Sequence, residues 1–240
     1  MLRLRPMGPS KVILNQRDIC PAHDSRMYDL LMGSPQIVFS GFALAGFTIV
    51  IPQQWHAASA NYPVILSEVV TAVFLGVQLV LVCIRRLPVR KADGFFPKAW
   101  AFFAANLGYA LLLLPRANVS QVMMKLSTFI VVVGTFGSLI ALIYLGRAFA
   151  ILPQARMLVR AGPYAYLRHP LYLFEQLAML GIALQYRQPW AFILVAVSFA
   201  MPFPRMNYEE QVLRETFSEY DAYASVTPRL IPLMHQHSMD

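Results

Sequence analysis

"GPYAYLRHPLYLFEQ", residues 162–176, sets a Gly-Pro break and a basic pair, Arg168 and His169, directly before a proline and an apolar run that carries Glu175. Gly162-Pro163 forces the backbone to turn. Pro170 suits the first turn of a helix, where its missing N–H is no loss. The chain therefore reverses here and enters a helix whose mouth holds Arg168 and His169 beside unpaired N–H groups that favour anionic partners. A purely topological role explains Arg168 well and His169 acceptably. A binding role explains both, and the choice depends on what surrounds the segment.

The surroundings are apolar. Of 240 residues, 58% are apolar and 13% charged, with a mean hydropathy of +0.52, which leaves too little polar surface for a soluble globule. Apolar stretches fall at 36–52, 63–84, 99–115, 127–150, 171–186 and 189–204, against the ~20 residues that cross a bilayer as a helix. The expected fold class is all-α: a polytopic transmembrane helical protein with about six membrane segments. The last two are short enough to form a tilted or incompletely spanning hairpin. Three regions are expected, namely a loose or surface-lying segment over 1–34, N-terminal transmembrane helices over 35–126, and a C-terminal half over 127–240 that carries the chemistry.

Charge placement tests the weave independently, because loops on the cytoplasmic side collect Lys and Arg. Seventeen of the twenty basic residues fall in the N-terminal segment, the 85–98 loop, the 147–168 loop and the tail; Arg116, Lys125 and Arg187 fall in the intervening loops. That split predicts an integral membrane protein with both termini cytoplasmic, in keeping with a bacterial inner membrane. The net charge of +8 is then a topology signal and an attraction to anionic head groups; nucleic acid is not an expected partner. Cys20 and His23 make half of a metal-binding spacing without the other half, so no metal is expected. Cys20 and Cys83 both fall on the reducing side, and no disulfide is expected. Gly41 with Ala45 and Ala104 with Gly108 have the spacing of close helix packing. Gln78 and Asn106 suit bonds across helices, and Glu68 lies near an outer boundary.

The second informative stretch runs from 204 to 232, "PRMNYEEQVLRETFSEYDAYASVTPRLIP". At 100° per residue, Met206, Leu213, Phe217, Tyr220 and Ala224 share a face, which predicts a cytoplasmic amphipathic C-terminal helix. Arg205 and Glu209 are spaced i, i+4, and Glu210 could pair with Arg214; as surface ion pairs each is worth roughly 0.3–0.5 kcal/mol. Glu210 fits that reading poorly. It falls in the apolar face, where a carboxylate is costly unless a cation or donor meets it.

Taken together, "GPYAYLRHPLY", a short apolar hairpin, Arg205-x-x-x-Glu209-Glu210-x-x-Leu213-x-x-x-Phe217, Tyr220-x-x-Tyr223 and Arg229-Leu230-Ile231-Pro232 resemble the isoprenylcysteine carboxyl methyltransferase family, itself related to the integral-membrane phospholipid methyltransferases. The resemblance covers about residues 140–232. It implies an S-adenosyl-L-methionine-dependent methyltransferase acting on a small or lipid-like acceptor, with a carboxylate held by Arg205 as the favoured one. It also implies that His169, Pro170 and Tyr172 line the cofactor site, that Gly162 and Tyr164 shape its entrance, and that Arg205, Glu209 and Glu210 position cofactor and substrate for catalysis. Two departures stand out. Phe174 occupies a position that is glycine in many members, which predicts a narrower channel, and Phe217 to Tyr220 is one residue shorter than the common spacing.

Chemistry is consistent with that implication. Methyl transfer from a sulfonium demands alignment and exclusion of water more than proton transfer. Membrane sterol reductases that use NADPH share a similar C-terminal pattern on larger chains. Together with a non-catalytic membrane protein, they are the rival readings.

Overall fold

Inside a bilayer the backbone must satisfy its own hydrogen bonds, so apolar stretches of this length become helices. The computed structural model describes residues 26–56, 62–114, 119–186 and 189–231. Its helices are α1 (Arg26–His56), α2 (Tyr62–Ile84), α3 (Phe96–Asn106), α4 (Gln121–Leu145), α5 (Pro170–Ala183), α6 (Pro189–Ala200), α7 (Pro202–Thr216) and α8 (Tyr220–Val226). A short antiparallel pair joins β1 (Arg90–Lys91) to β2 (Gln154–Ala155). Residues 1–25, with Cys20 and His23, lie outside the described residues. Residues 26–34 of the expected loose segment are the first turns of α1.

Four described stretches are long and apolar enough to cross a membrane: Gly33–Gln53, Val64–Ile84, Gln121–Ala148 and Pro189–Thr216. The protein is an integral membrane protein. The expected six segments map onto this unevenly. Segment 99–115 falls on α3 and the 3-10 turn Leu107–Leu113 that continues it. At about 1.5 and 2.0 Å per residue the two reach about 30 Å, roughly the hydrocarbon thickness. Helices α5 and α6, with 14 and 12 residues, reach only about 21 and 18 Å. Length and composition together single out four stretches, the last of them α6 continued by α7, whereas α5 is too short to cross singly.

Glycine sets the closest packing. A side chain at Gly134 of α4 would strike the backbone of Ala178 in α5, one at Gly137 the ring of Phe174, and one at Gly181 of α5 would come within 2.8 Å of Val131. Ser127 Oγ donates to the Gly181 carbonyl (2.7 Å), and Gln185 donates to Ser127 Oγ (2.9 Å). The Gly41 spacing, by contrast, meets nothing within 4 Å. Phe174 does not line the functional cleft described below; its ring fills the space left by Gly137. Between α1 and α2, Gln36, Ser40 and Gln78 bond to one another at 3.1–3.2 Å.

The C-terminal region is broken twice. Pro202 interrupts the chain after α6, and Trp100 Nε1 of α3 donates to the Met201 carbonyl (2.9 Å). The single amphipathic helix expected to run through Ala224 ends instead at Phe217, whose extended backbone (φ −121°, ψ 112°) separates α7 from α8. The break drives Phe217, Tyr220 and Tyr223 into one buried cluster with Val212 and Ala155.

Gly137→Leu overpacks α4 against α5 and should destabilise the protein by about 1–3 kcal/mol. Phe174→Gly in that background should recover most of the loss, and thermal melts of the single and double variants in detergent measure the coupling.

Candidate cofactor and active site

Two juxtamembrane loops form the floor beneath α4 and α5. Val89 N–H donates to the Ala155 carbonyl (2.7 Å) and Ala92 N–H to that of Pro153 (3.0 Å), extending the β1–β2 pair. Asp29 of α1 locks the loops from one side. Its Oδ2 accepts from Arg85 Nε (2.8 Å) and its Oδ1 from Arg156 Nη2 (2.6 Å). Gly33 clears the path for Arg85, since a side chain there would come within 2.7 Å of its guanidinium. Arg156 also donates to Gln154 Oε1 (2.6 Å) and to the Arg86 carbonyl. Burial penalises the Asp29 charge, but the hydrogen bonds and charges of Arg156 and Arg85 outweigh it and hold this carboxyl below its usual range.

From this floor the chain climbs through Gly162, whose φ of +61° suits glycine and whose missing side chain admits the Tyr144 ring. Tyr164 is buried, and its carbonyl accepts from Tyr223 Oη (2.6 Å). Burial holds the hydroxyls of Tyr164 and Tyr223 well above the ordinary tyrosine range, so both remain donors. Arg168 N–H then donates to the Pro228 carbonyl (2.9 Å) and His169 N–H to that of Arg229 (3.1 Å). The tail is thus paired, backbone to backbone, with the mouth of α5.

Glu210 of α7 closes this arrangement from behind. Only 1% of it is exposed. Oε2 accepts from Arg168 Nη1 and Arg229 Nη2, both at 2.8 Å, and Oε1 meets His169 Nε2 at 3.0 Å. A carboxylate has no proton to give, so Nε2 carries the hydrogen of this contact and the other ring nitrogen, Nδ1, is turned toward Glu209. Nδ1 stands 3.9 Å from Glu209 Oε2, beyond hydrogen-bond reach.

Glu209 faces the other way. Its Oε1 accepts from Tyr172 Oη (2.5 Å) and Arg205 Nε (3.1 Å). The Tyr172 ring stacks on His169 (centroids 5.5 Å, 16° between planes), and the Arg205 guanidinium lies 4.8 Å from the Tyr172 centroid. Tyr164, Arg168, His169, Tyr172 and Glu209 form the polar end of a cleft. Leu152, Met157, Leu158 and Leu213 form its apolar end. The cavity between them is about 100 Å³ and opens outward.

Residues 103–220 match the phospholipid methyltransferase family. The matched segment starts in α3 and ends at Tyr220, so it holds every cleft-lining residue. That family lies in the isoprenylcysteine/phospholipid methyltransferase group. The chain is also 31% identical over 116 residues to a cobalt-zinc-cadmium resistance protein of Cupriavidus metallidurans, covering 48% of this chain and 51% of that one. A nickel-cobalt-cadmium resistance protein of Alcaligenes xylosoxydans xylosoxydans is 33% identical over 76 residues, covering 31% and 36% respectively. The chain thus spans about half or less of the curated relatives it matches. Among the described residues, no group of three or more His, Cys, Asp or Glu side chains could hold a metal ion.

Within this methyltransferase segment, Tyr164, His169, Tyr172 and Glu209 line the cleft. Gly162 and Pro170 shape the backbone behind it, and Arg205 and Glu210 brace the lining residues. Arg214, the expected partner of Glu210, bonds Asp221 instead (2.6 Å). Sequence reasoning missed the apolar wall, Asp29 with its two arginines, and Arg229 as a ligand of Glu210. For Arg229 a signal existed in the Arg-Leu-Ile-Pro motif.

Removing one partner of a buried ion pair strands the others. Glu210→Gln should therefore destabilise the protein by about 3 kcal/mol, whereas Glu209→Gln should fold and weaken ligand binding; melting curves and calorimetry on both separate the roles. Folding lowers the Asp29 pKa, so its stabilisation is complete above the unfolded value of about 3.9 and is lost as pH falls through the lower folded value. Asp29→Asn should melt lower than the parent at neutral pH, and the difference should shrink on acidification.

Proposed function

We propose that the protein is an S-adenosyl-L-methionine-dependent methyltransferase whose acceptor is a small or lipid-like molecule that reaches the site from the bilayer. The observation that carries this reading is the polar end of the cleft, where Glu209 Oε2, His169 Nδ1 and the stacked Tyr172 ring meet at the mouth of α5.

The donor set fits such a cofactor. Glu209 offers a negative oxygen to an ammonium or sulfonium centre, and His169 and Tyr164 line the same cleft beside it. The leucine- and methionine-lined end suits a flat apolar ring. A cavity of about 100 Å³ takes only part of the cofactor, and its open side leaves room for the rest.

When bound, the cofactor supplies an electrophilic methyl group on a positively charged sulfur. The residues of the chain have to orient two reactants and keep water away, which suits a site with little proton chemistry. Arg205 and Glu210 act through others: Arg205 fixes Glu209 and the Tyr172 ring, and Glu210 fixes the angle of His169. The basic loops, seventeen Lys and Arg against three, support an orientation with the cleft on the cytoplasmic face.

Calorimetric titration of S-adenosylmethionine and of NADPH into detergent-purified protein tests the reading. Binding of the first and not the second is expected, with His169→Ala and Tyr172→Ala folded and weakened roughly tenfold or more. Binding of NADPH alone would favour a reductase, and binding of neither a non-catalytic role.

A further inference from the structure

Gln154 lines the cleft, yet no role assigned so far uses it. It sits on β2, in the loop that otherwise brings apolar side chains to the cleft wall, Leu152, Met157 and Leu158 among them. Its amide is not free to turn. Oε1 accepts from Arg156 Nη2 (2.6 Å), and a guanidinium offers no acceptor, so the oxygen must face Arg156 and the Nε2 group must point away from it. Among the described interactions, Nε2 donates to nothing.

Arg156 is aimed in its turn. Nη2 carries two hydrogens in the guanidinium plane: one goes to Gln154 and the other to Asp29 Oδ1 (2.6 Å), while Nη1 donates to the Arg86 carbonyl. A planar fork fixed at two acceptors has its third direction set. Asp29 is fixed as well, because Arg85 grips its carboxylate through Nε (2.8 Å) and its backbone carbonyl through Nη2 (2.7 Å). Asp29 and Arg156 are 5% and 4% exposed, so bulk water does not replace a lost partner. Asp29 belongs to α1, which lies outside the matched segment 103–220. A helix that shares no residue with that segment thus holds one of its cleft side chains in place.

We propose that Gln154 Nε2 is a ligand-binding donor of the cleft, meeting an uncharged acceptor atom of the cofactor, and that Asp29 is its positioning residue, acting through Arg156. This rests on the methyltransferase reading. The rest of the wall that this loop supplies is apolar and holds a ligand without fixing its orientation. One oriented donor on such a wall does fix it.

Calorimetry of S-adenosylmethionine on detergent-purified protein, well below the melting temperature of each variant, tests the relay as a double-mutant cycle. Gln154→Met keeps the length and loses the amide, and should weaken binding roughly tenfold. Asp29→Asn leaves Gln154 in place but loosens its aim, and should weaken binding roughly threefold. The double variant should be no weaker than Gln154→Met, since Asp29 then has nothing left to position. Ser40→Ala, which loosens α1 from α2 away from the loop, should leave affinity unchanged. If Asp29→Asn does not fold, Arg156→Lys takes its place in the cycle, because it keeps the charge but cannot bridge two acceptors in one plane. Unchanged affinity in Gln154→Met, a double variant about thirtyfold weaker than wild type, or an equal loss in Ser40→Ala would each overturn the assignment. A wild type that binds no S-adenosylmethionine brings down the methyltransferase reading and the relay with it, whereas binding that ignores Gln154 brings down the relay alone.

Discussion

One buried carboxylate ties the mouth of α5, helix α7 and the tail of this protein together. Glu210 receives two guanidinium groups and an imidazole that arrive from segments about 40 and 20 positions away along the chain, and it is nearly inaccessible to solvent. A charge so placed is tolerable only with its partners in position, because desolvation is repaid by close geometry alone. The constraint acts in both directions. The mouth of α5 cannot move without the tail, and the tail cannot leave without exposing Arg168 and stranding Glu210.

Much of the site follows from that clasp. It holds a hydrogen on His169 Nε2, leaves Nδ1 toward Glu209, and sets the plane against which Tyr172 stacks. Glu209 then receives the Tyr172 hydroxyl and Arg205 on one oxygen, leaving the other turned toward open space. Two adjacent glutamates on one helix thereby differ: Glu210 turns inward onto its cations, and Glu209 lines the cleft.

The packing of α4 on α5 supplies the rigidity beneath. Gly134, Gly137 and Gly181 let the two helices approach at backbone distance, and Phe174 fills the gap that Gly137 leaves. Phe174 is thereby taken up against α4 and does not line the cleft.

Local physics was legible in the sequence: apolar length and charge alternation identified a helical membrane protein, Gly162-Pro163 the reversal, and Pro170 the start of α5. The motifs that carry Tyr164, His169, Tyr172 and Glu209 stood out in the sequence, and the fold brings these four to one cleft. The division of labour was not. Residues 209 and 210 differ by 100° on one helix, and what each meets depends on chain brought from Arg168, Tyr172 and Arg229. Arg85 and Arg156 read as loop charges that mark the cytoplasmic side, yet both are buried on Asp29, whose single negative charge gave no local sign of its importance. Helix period and turn chemistry are properties of neighbours in sequence. Which cation meets which carboxylate is decided only when distant segments pack, because the low-dielectric interior makes every such pairing depend on all groups that exclude water from it.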